Sequence, residues 1–168
     1  RGLGDVYKRQ DPVQISMHSN LIYSAFDPRF NVVSLPFIYD SYDDADAKFD
    51  GEAGEKLKEI LSSYGLHCMG IAENGFRELT TSKGPITKPE DLRGLKIRVV
   101  GSPIFIETFR ALGANPVNMN WSEATTGFQQ GVVDGQEGCF NNVVTLKFYE
   151  AQKYATMINY SVHSCNFI

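Results

Sequence analysis

Arg98 is the first residue to question. It stands in an apolar run, Leu95-Lys96-Ile97-Arg98-Val99-Val100, just before Gly101-Ser102-Pro103. A guanidinium at the carboxyl end of a strand, followed within five residues by a helix start, puts a fixed cation beside a helix's positive end. Both favour an anion there. The bland alternative is a surface or ion-paired arginine. Arg77 follows Asn74-Gly75-Phe76 at the start of another apolar segment, where it serves either a ligand or an exposed turn. Trp121 is the single tryptophan and either walls a ligand or staples the start of its own helix. Asp134-Gly135-Gln136-Glu137 reads as the edge of a strand or as a tight hairpin turn.

Other chemistries find little support. Cys68, Cys139 and Cys165 are far apart, no CxxC occurs, and His18, His67 and His163 are not spaced as ligands, so no metal site is expected. The acidic run Asp43, Asp44 and Asp46 lacks the Gly and Glu of a calcium loop and suits a helix start. GxSxG, HExxH, a phosphate loop and GxGxxG are all absent. Neither a catalytic residue nor a cofactor is therefore expected. A net charge of −4 gives no footprint for nucleic acid. No apolar run reaches the roughly 20 residues of a membrane helix. With 42% hydrophobic and 21% charged residues, the chain is able to bury a core.

The elements that would position these residues alternate. VQISMH is expected as a strand and VVSLPFIY, broken by Pro36, as an irregular loop. Residues 43–65 form a helical pattern ended by Gly65, with a break near Asp50 suggested by Gly51 and Gly54. LHCMGIAE and FRELTTS read as strands on either side of Asn74-Gly75, and Pro89-Glu90-Asp91 as a short helical turn. LKIRVV is a strand. Ser102-Pro103 opens a helix that ends at Gly113, and residues 114–119 follow as a strand. Asn120 with Glu123 has the form of a capping box before WSEATTGFQQ. VVDGQEG is strand-like, NNVVTLKFYEAQKY helical, and ATMINYSVHS a strand. Such alternation predicts an α/β fold with a mostly parallel sheet. The opening RGLGDVYKRQ has no initiator Met and no apolar stretch, so residues 1–10 are expected to be a foreign prefix rather than a signal peptide.

Long ordered stretches carry a resemblance. NGFRELTTSKGPITKPEDLRGLKIRVVGSP, ETFRALGANPVNMNWSEATTGFQQGVVDGQEG and KFYEAQKYATMINYSVHS, with FDPRF and LPFIYDSYDDADAKFDG upstream, resemble the solute-binding proteins of TRAP transporters, the tripartite ATP-independent periplasmic transporters, of the DctP type. The resemblance implies a bilobal periplasmic-binding-protein fold: two mostly parallel sheets with flanking helices. This chain would match its middle part, truncated at both ends. Residues 11–74 would belong to lobe I and 75–162 to lobe II, with 163–168 starting the return crossing.

The function implied is capture of a small organic acid in the periplasm and delivery to TRAP membrane subunits. A dicarboxylate, a 2-oxo acid and a sugar acid all suit such a site. In this resemblance Arg98 is the carboxylate clamp, Arg77 a supporting arginine and Trp121 the aromatic on the ligand. His18, Ser19 and Asn20 match a stretch lining the cleft. The family usually has Asn-Pro after DGQE. Here Gly138 and Cys139 stand there, so Asn141 or Asn142 would have to supply the missing amide. The alternatives are a ligand-sensing domain feeding a signalling partner and an α/β enzyme acting on a carboxylate.

Overall fold

A computed structural model describes residues 15–168. The prefix at 1–10, and Val13 and Gln14 of the VQISMH segment, lie outside the described residues. The chain divides into two compact units. One holds the residues up to Asn74 together with Val162–Ile168; the other is Gly75–Ser161. Two long strands, β2 (Gly70–Thr81) and β6 (Tyr154–Phe167), contribute residues to both.

The fold is α/β, an open mixed sheet with flanking helices, in the strand order β1 (Met17–Ser19), β6, β2, β5 (Gly135–Cys139), β3 (Lys96–Val99), β4 (Asn115–Asn118). In the first unit, β1 (Met17–Ser19) pairs antiparallel with the end of β6. The strand is short because Ser19 is the N-cap of α1 (Asn20–Tyr23). Its extended backbone turns the chain, and its hydroxyl accepts from the Leu21 amide in the first turn of that helix. A 3₁₀ segment, Pro28–Ser34, precedes the loop around Pro36. The helical pattern breaks next to Asp50, as expected, into α2 (Tyr42–Asp50), capped by Ser41, and α3 (Glu52–Ser63). The break falls at Gly51. Gly54 then lies so close to the Phe49 carbonyl that a Cβ would overlap it, at 1.7 Å. Tyr23, Phe30, Tyr39, Phe49, Leu57 and Leu61 form the buried interior of this unit.

The second unit carries the central strands. β3 (Lys96–Val99) pairs in parallel with β4 (Asn115–Asn118) and with β5 (Gly135–Cys139), whereas β2 pairs antiparallel with β5. Parallel pairing needs a long crossover. α4 (Pro103–Ala111) and α5 (Trp121–Gln129) supply crossovers after β3 and β4, but only a 3₁₀ turn, Pro89–Leu92, lies between β2 and β3.

Several local expectations change. Asn74-Gly75 does not separate two strands. Gly75, at φ 110, keeps β2 continuous in a conformation open to glycine. Asp134-Gly135 is no hairpin turn, since Gly135 opens β5, and a Cβ there would meet the Thr80 carbonyl at 2.5 Å. The helix expected over NNVVTLKFYEAQKY stops early: α6 is Phe140–Thr145, followed by left-handed Lys147 and a 3₁₀ turn, Phe148–Glu150. Val143 and Phe148 share one buried cluster with Ala124, Phe128 and Val133. Five residues along a continuous helix turn about 140° out of line, so the break is what lets both face that cluster. Asn120 does precede α5, but its side chain makes no cap bond.

Candidate ligand-binding site

β3 carries Arg98 into the second unit between two buried apolar neighbours, Ile97 and Val99. Residues alternate across a strand, so Arg98 faces opposite to them. Its side chain is 2% exposed. Nε and Nη2 both donate to the Met119 carbonyl, at 3.1 and 2.9 Å. The guanidinium carbon lies 5.1 Å from the centre of the Trp121 ring, a cation–π distance. Nη1 is buried and has no hydrogen-bond partner among the described residues. No carboxylate among those residues forms an ion pair with Arg98. Burial pushes its pKa below the usual arginine range, while the more distant Glu137 works the other way. A desolvated cation with a donor to spare is a site that an anion would complete. Ser102 stands at the N-cap of α4, directly after β3. It too is 2% exposed, and its Oγ is buried without a partner.

Arg77 has a different situation. It pairs in register with Cys139 on β5, while Leu79 pairs with Glu137. Arg98 pairs with Gln136. Alternation therefore puts Arg77 and Glu137 on one face of the sheet and Arg98 on the other. Arg77 Nε and Nη2 grip the two oxygens of Glu137 at 2.6 and 2.8 Å, and Tyr160 Oη donates to Glu137 Oε2 at 2.5 Å. The guanidinium of Arg77 also lies 4.8 Å from the Phe105 ring. Burial works to raise the Glu137 pKa, but the charge and hydrogen bonds of Arg77 prevail and hold it below the usual carboxylate range. Burial, and then Glu137, push Tyr160 well upward. Phe105 and Phe109 of α4 pack edge-on against Tyr160 and close this face. Sequence reading had no signal for the Arg77–Glu137–Tyr160 group, whose members lie 60 and 23 residues apart.

In the first unit, Ser19 Oγ lies 2.9 Å from His163 Nε2, and Asn74 Nδ2 lies 3.2 Å from His163 Nδ1. With the Asn74 amide donating, Nε2 carries the imidazole proton and donates to Ser19. His18 packs edge-on against Tyr23 at 6.4 Å. Asn20 is buried and bonded to Ser164 and Asn166. Of the residues singled out in sequence, then, Arg98 and Trp121 are brought together, Arg77 is engaged on the opposite face, and Ser19 and His18 belong to the other unit. Among the described residues no three His, Cys, Asp or Glu side chains are placed to hold a metal. No helix among them is long and apolar enough to cross a membrane.

Residues 8–168 match the family model for bacterial extracellular solute-binding proteins, family 7, known as DctP. The chain belongs to this family. Its relatives include the 2,3-diketo-L-gulonate-binding periplasmic protein YiaO of Escherichia coli, 34% identical over 91% of this chain and 47% of that protein. Among solved structures, the sugar acid binding protein DctPAm of Advenella mimigardefordensis, in complex with galactonate, superposes with a TM-score of 0.87 at 37% identity. That match covers 91% of this chain and 49% of the other. A TRAP periplasmic solute binding protein of Sulfurospirillum deleyianum with bound succinate gives 0.85 and 35%, covering 91% of this chain and 50% of the other. The chain thus spans about half the length of the relatives it matches.

Within this family-7 chain, Gly138 is the point of departure noted in the sequence. It lies on β5, opposite Glu78 and two residues beyond Gln136. A Cβ built there would sit 3.5 Å from Gln136 Oε1, an ordinary contact, so a Cβ is tolerated at this position. Asn141 and Asn142 fall in the first turn of α6, where Asn141 Oδ1 accepts from the Asn142 amide at 2.7 Å.

Proposed function

We propose that the protein carrying this chain is a periplasmic receptor that captures a small organic acid and delivers it to TRAP membrane subunits, with no catalytic step of its own. The observation that carries this reading is Arg98. It is buried and stacked under Trp121, and among the described residues it has no carboxylate partner and its Nη1 donor is unused. A ligand carboxylate would accept from this donor and neutralise the charge, and the planar guanidinium suits carboxylate geometry better than an ammonium does. Trp121 offers a ring face to the same group. The relatives support the class of ligand, since diketogulonate, galactonate and succinate are all carboxylates. Asn141 and Asn142, in the same unit as Arg98, are proposed contacts to the body of the ligand; the ligand roles that the resemblance gives Ser19 and His18 stay proposals, whereas Arg77, already paired with Glu137, is assigned to the fold.

The two compact units correspond, in this proposal, to the two lobes of such a receptor. The reading is tested by thermal-shift screening of the full-length protein against dicarboxylates, 2-oxo acids and sugar acids, with the matching amides and alcohols as controls. Stabilisation by at least one acid, and by none of the uncharged controls, is the expected result. Stabilisation only by uncharged compounds would overturn it.

A further inference from the structure

Arg98 is one of three neighbouring residues with an unsatisfied polar atom. Thr80 on β2 is in register with Gln136 on β5, and Gln136 is in register with Arg98 on β3. Alternation places the three in one row on one face of the sheet. They are 2%, 1% and 2% exposed. Thr80 Oγ1, Gln136 Oε1 and Arg98 Nη1 all lack a hydrogen bond among the described residues. Interiors seldom leave such atoms unpaired, and three in a row point to a missing partner. Gly138 belongs to the same face, and its Cβ position is 3.5 Å from Gln136 Oε1. The carboxamide therefore leans along β5 over the glycine, beside the place where a side chain at residue 138 would stand.

The Thr80 hydroxyl can donate or accept, but the other two atoms ask for different chemistry. Nη1 donates, and suits a carboxylate oxygen. Oε1 only accepts, so its partner must bring a hydrogen. A simple carboxylate, or a 2-oxo acid, brings acceptors alone and would leave Oε1 unpaired on binding. A hydroxyl near the carboxylate supplies the missing donor. Adjacent strands lie about 4.8 Å apart, near enough for one small acid to touch both residues. We propose that Gln136 is a specificity-determining residue of the Arg98 site, its Oε1 accepting from a hydroxyl borne close to the carboxylate, so that the preferred ligand is a hydroxy acid. The inference rests on Arg98 being the carboxylate clamp.

The test is calorimetry on the full-length protein with acids that differ in one group: propanoate, lactate and pyruvate; succinate and malate; glutarate, 2-hydroxyglutarate and 2-oxoglutarate. The hydroxy acid of at least one set should bind at least about tenfold more tightly than its deoxy and oxo counterparts, because a buried acceptor is then satisfied. Gln136→Met should bring that ratio to within about twofold. Gly138→Asn should lower it too, because an amide beside Oε1 satisfies the acceptor without ligand; this variant decides the matter if Gln136→Met does not fold. Equal affinities within every set would mean that a buried water satisfies Gln136, and would overturn the inference alone. Preference for the oxo acid would mean that Gln136 presents its N–H, with the same consequence. If no acid of any set bound, and no sugar acid stabilised the protein in the thermal-shift screen, the carboxylate reading itself would fail.

Discussion

Two arginines on opposite faces of one sheet are held in different ways. Arg77 and Arg98 are both buried, both lie on strands beside β5, and both stack on an aromatic ring. Arg77 is gripped by Glu137, which Tyr160 also holds. Among the described residues Arg98 is bonded only to a backbone carbonyl, and one of its nitrogens has no partner. A buried charge that the fold itself neutralises serves the fold. One left unneutralised destabilises the empty protein, and that cost is recovered when an outside anion arrives. The difference stems from strand register. Glu137 points to the Arg77 face, and Gln136, one residue earlier, gives the Arg98 face an uncharged neighbour.

That contrast can be broken from the Arg77 side with the largest effect. Glu137→Ala strips a bidentate pair and leaves a guanidinium buried, so unfolding free energy should fall by about 3–5 kcal/mol in urea titration. A fall below about 1 kcal/mol would show that Arg77 finds another partner. Acid should act through the same group. The Glu137 pKa is held below its unfolded value, so its contribution is fully present above about 4.3 and is lost as pH falls through the folded pKa. Stability of the parent should drop over that acid range, and Glu137→Gln should flatten that part of the curve.

Changes around Arg98 should instead be read in affinity. Trp121→Ala removes the ring under the guanidinium and should weaken acid binding by about 0.5–2 kcal/mol, measured by calorimetry. Gly138→Asn should tighten binding of an unhydroxylated acid by about one neutral hydrogen bond, roughly 0.5–1.5 kcal/mol. Unchanged binding there would place Asn141 or Asn142 in that role.

How much of this was legible in the sequence depended on distance along the chain. Arg98 showed itself because its cues are local: apolar neighbours before it and a helix start just after. The break at Gly51 was visible for the same reason. The resemblance added Trp121, since nothing local says that a residue 23 positions on will lie over the guanidinium. The Glu137 pair with Arg77 and the row of Thr80, Gln136 and Arg98 depend on β2, β5 and β3 lying side by side in one register, which no window of sequence contains. Local cues also misled. Asn120 and Glu123 have the spacing of a capping box, yet the Asn120 side chain makes no cap bond. Asn74-Gly75 has turn chemistry, yet β2 runs through it.

On the proposed function, Arg98 is kept for a ligand and Arg77 for the fold. Arg98→Ala in the full-length protein, followed by calorimetry with the tightest acid of the panel and by unliganded melting, tests it most directly. Affinity should fall by roughly 30-fold to several thousand-fold, as expected for losing one partner of a buried charge pair. Arg98→Lys should not restore it, because the planar fork is gone. The unliganded melting temperature should stay the same or rise, since a desolvated, unpaired charge has been removed. Unchanged affinity together with a lowered melting temperature would contradict the account and make Arg98 a structural residue like Arg77.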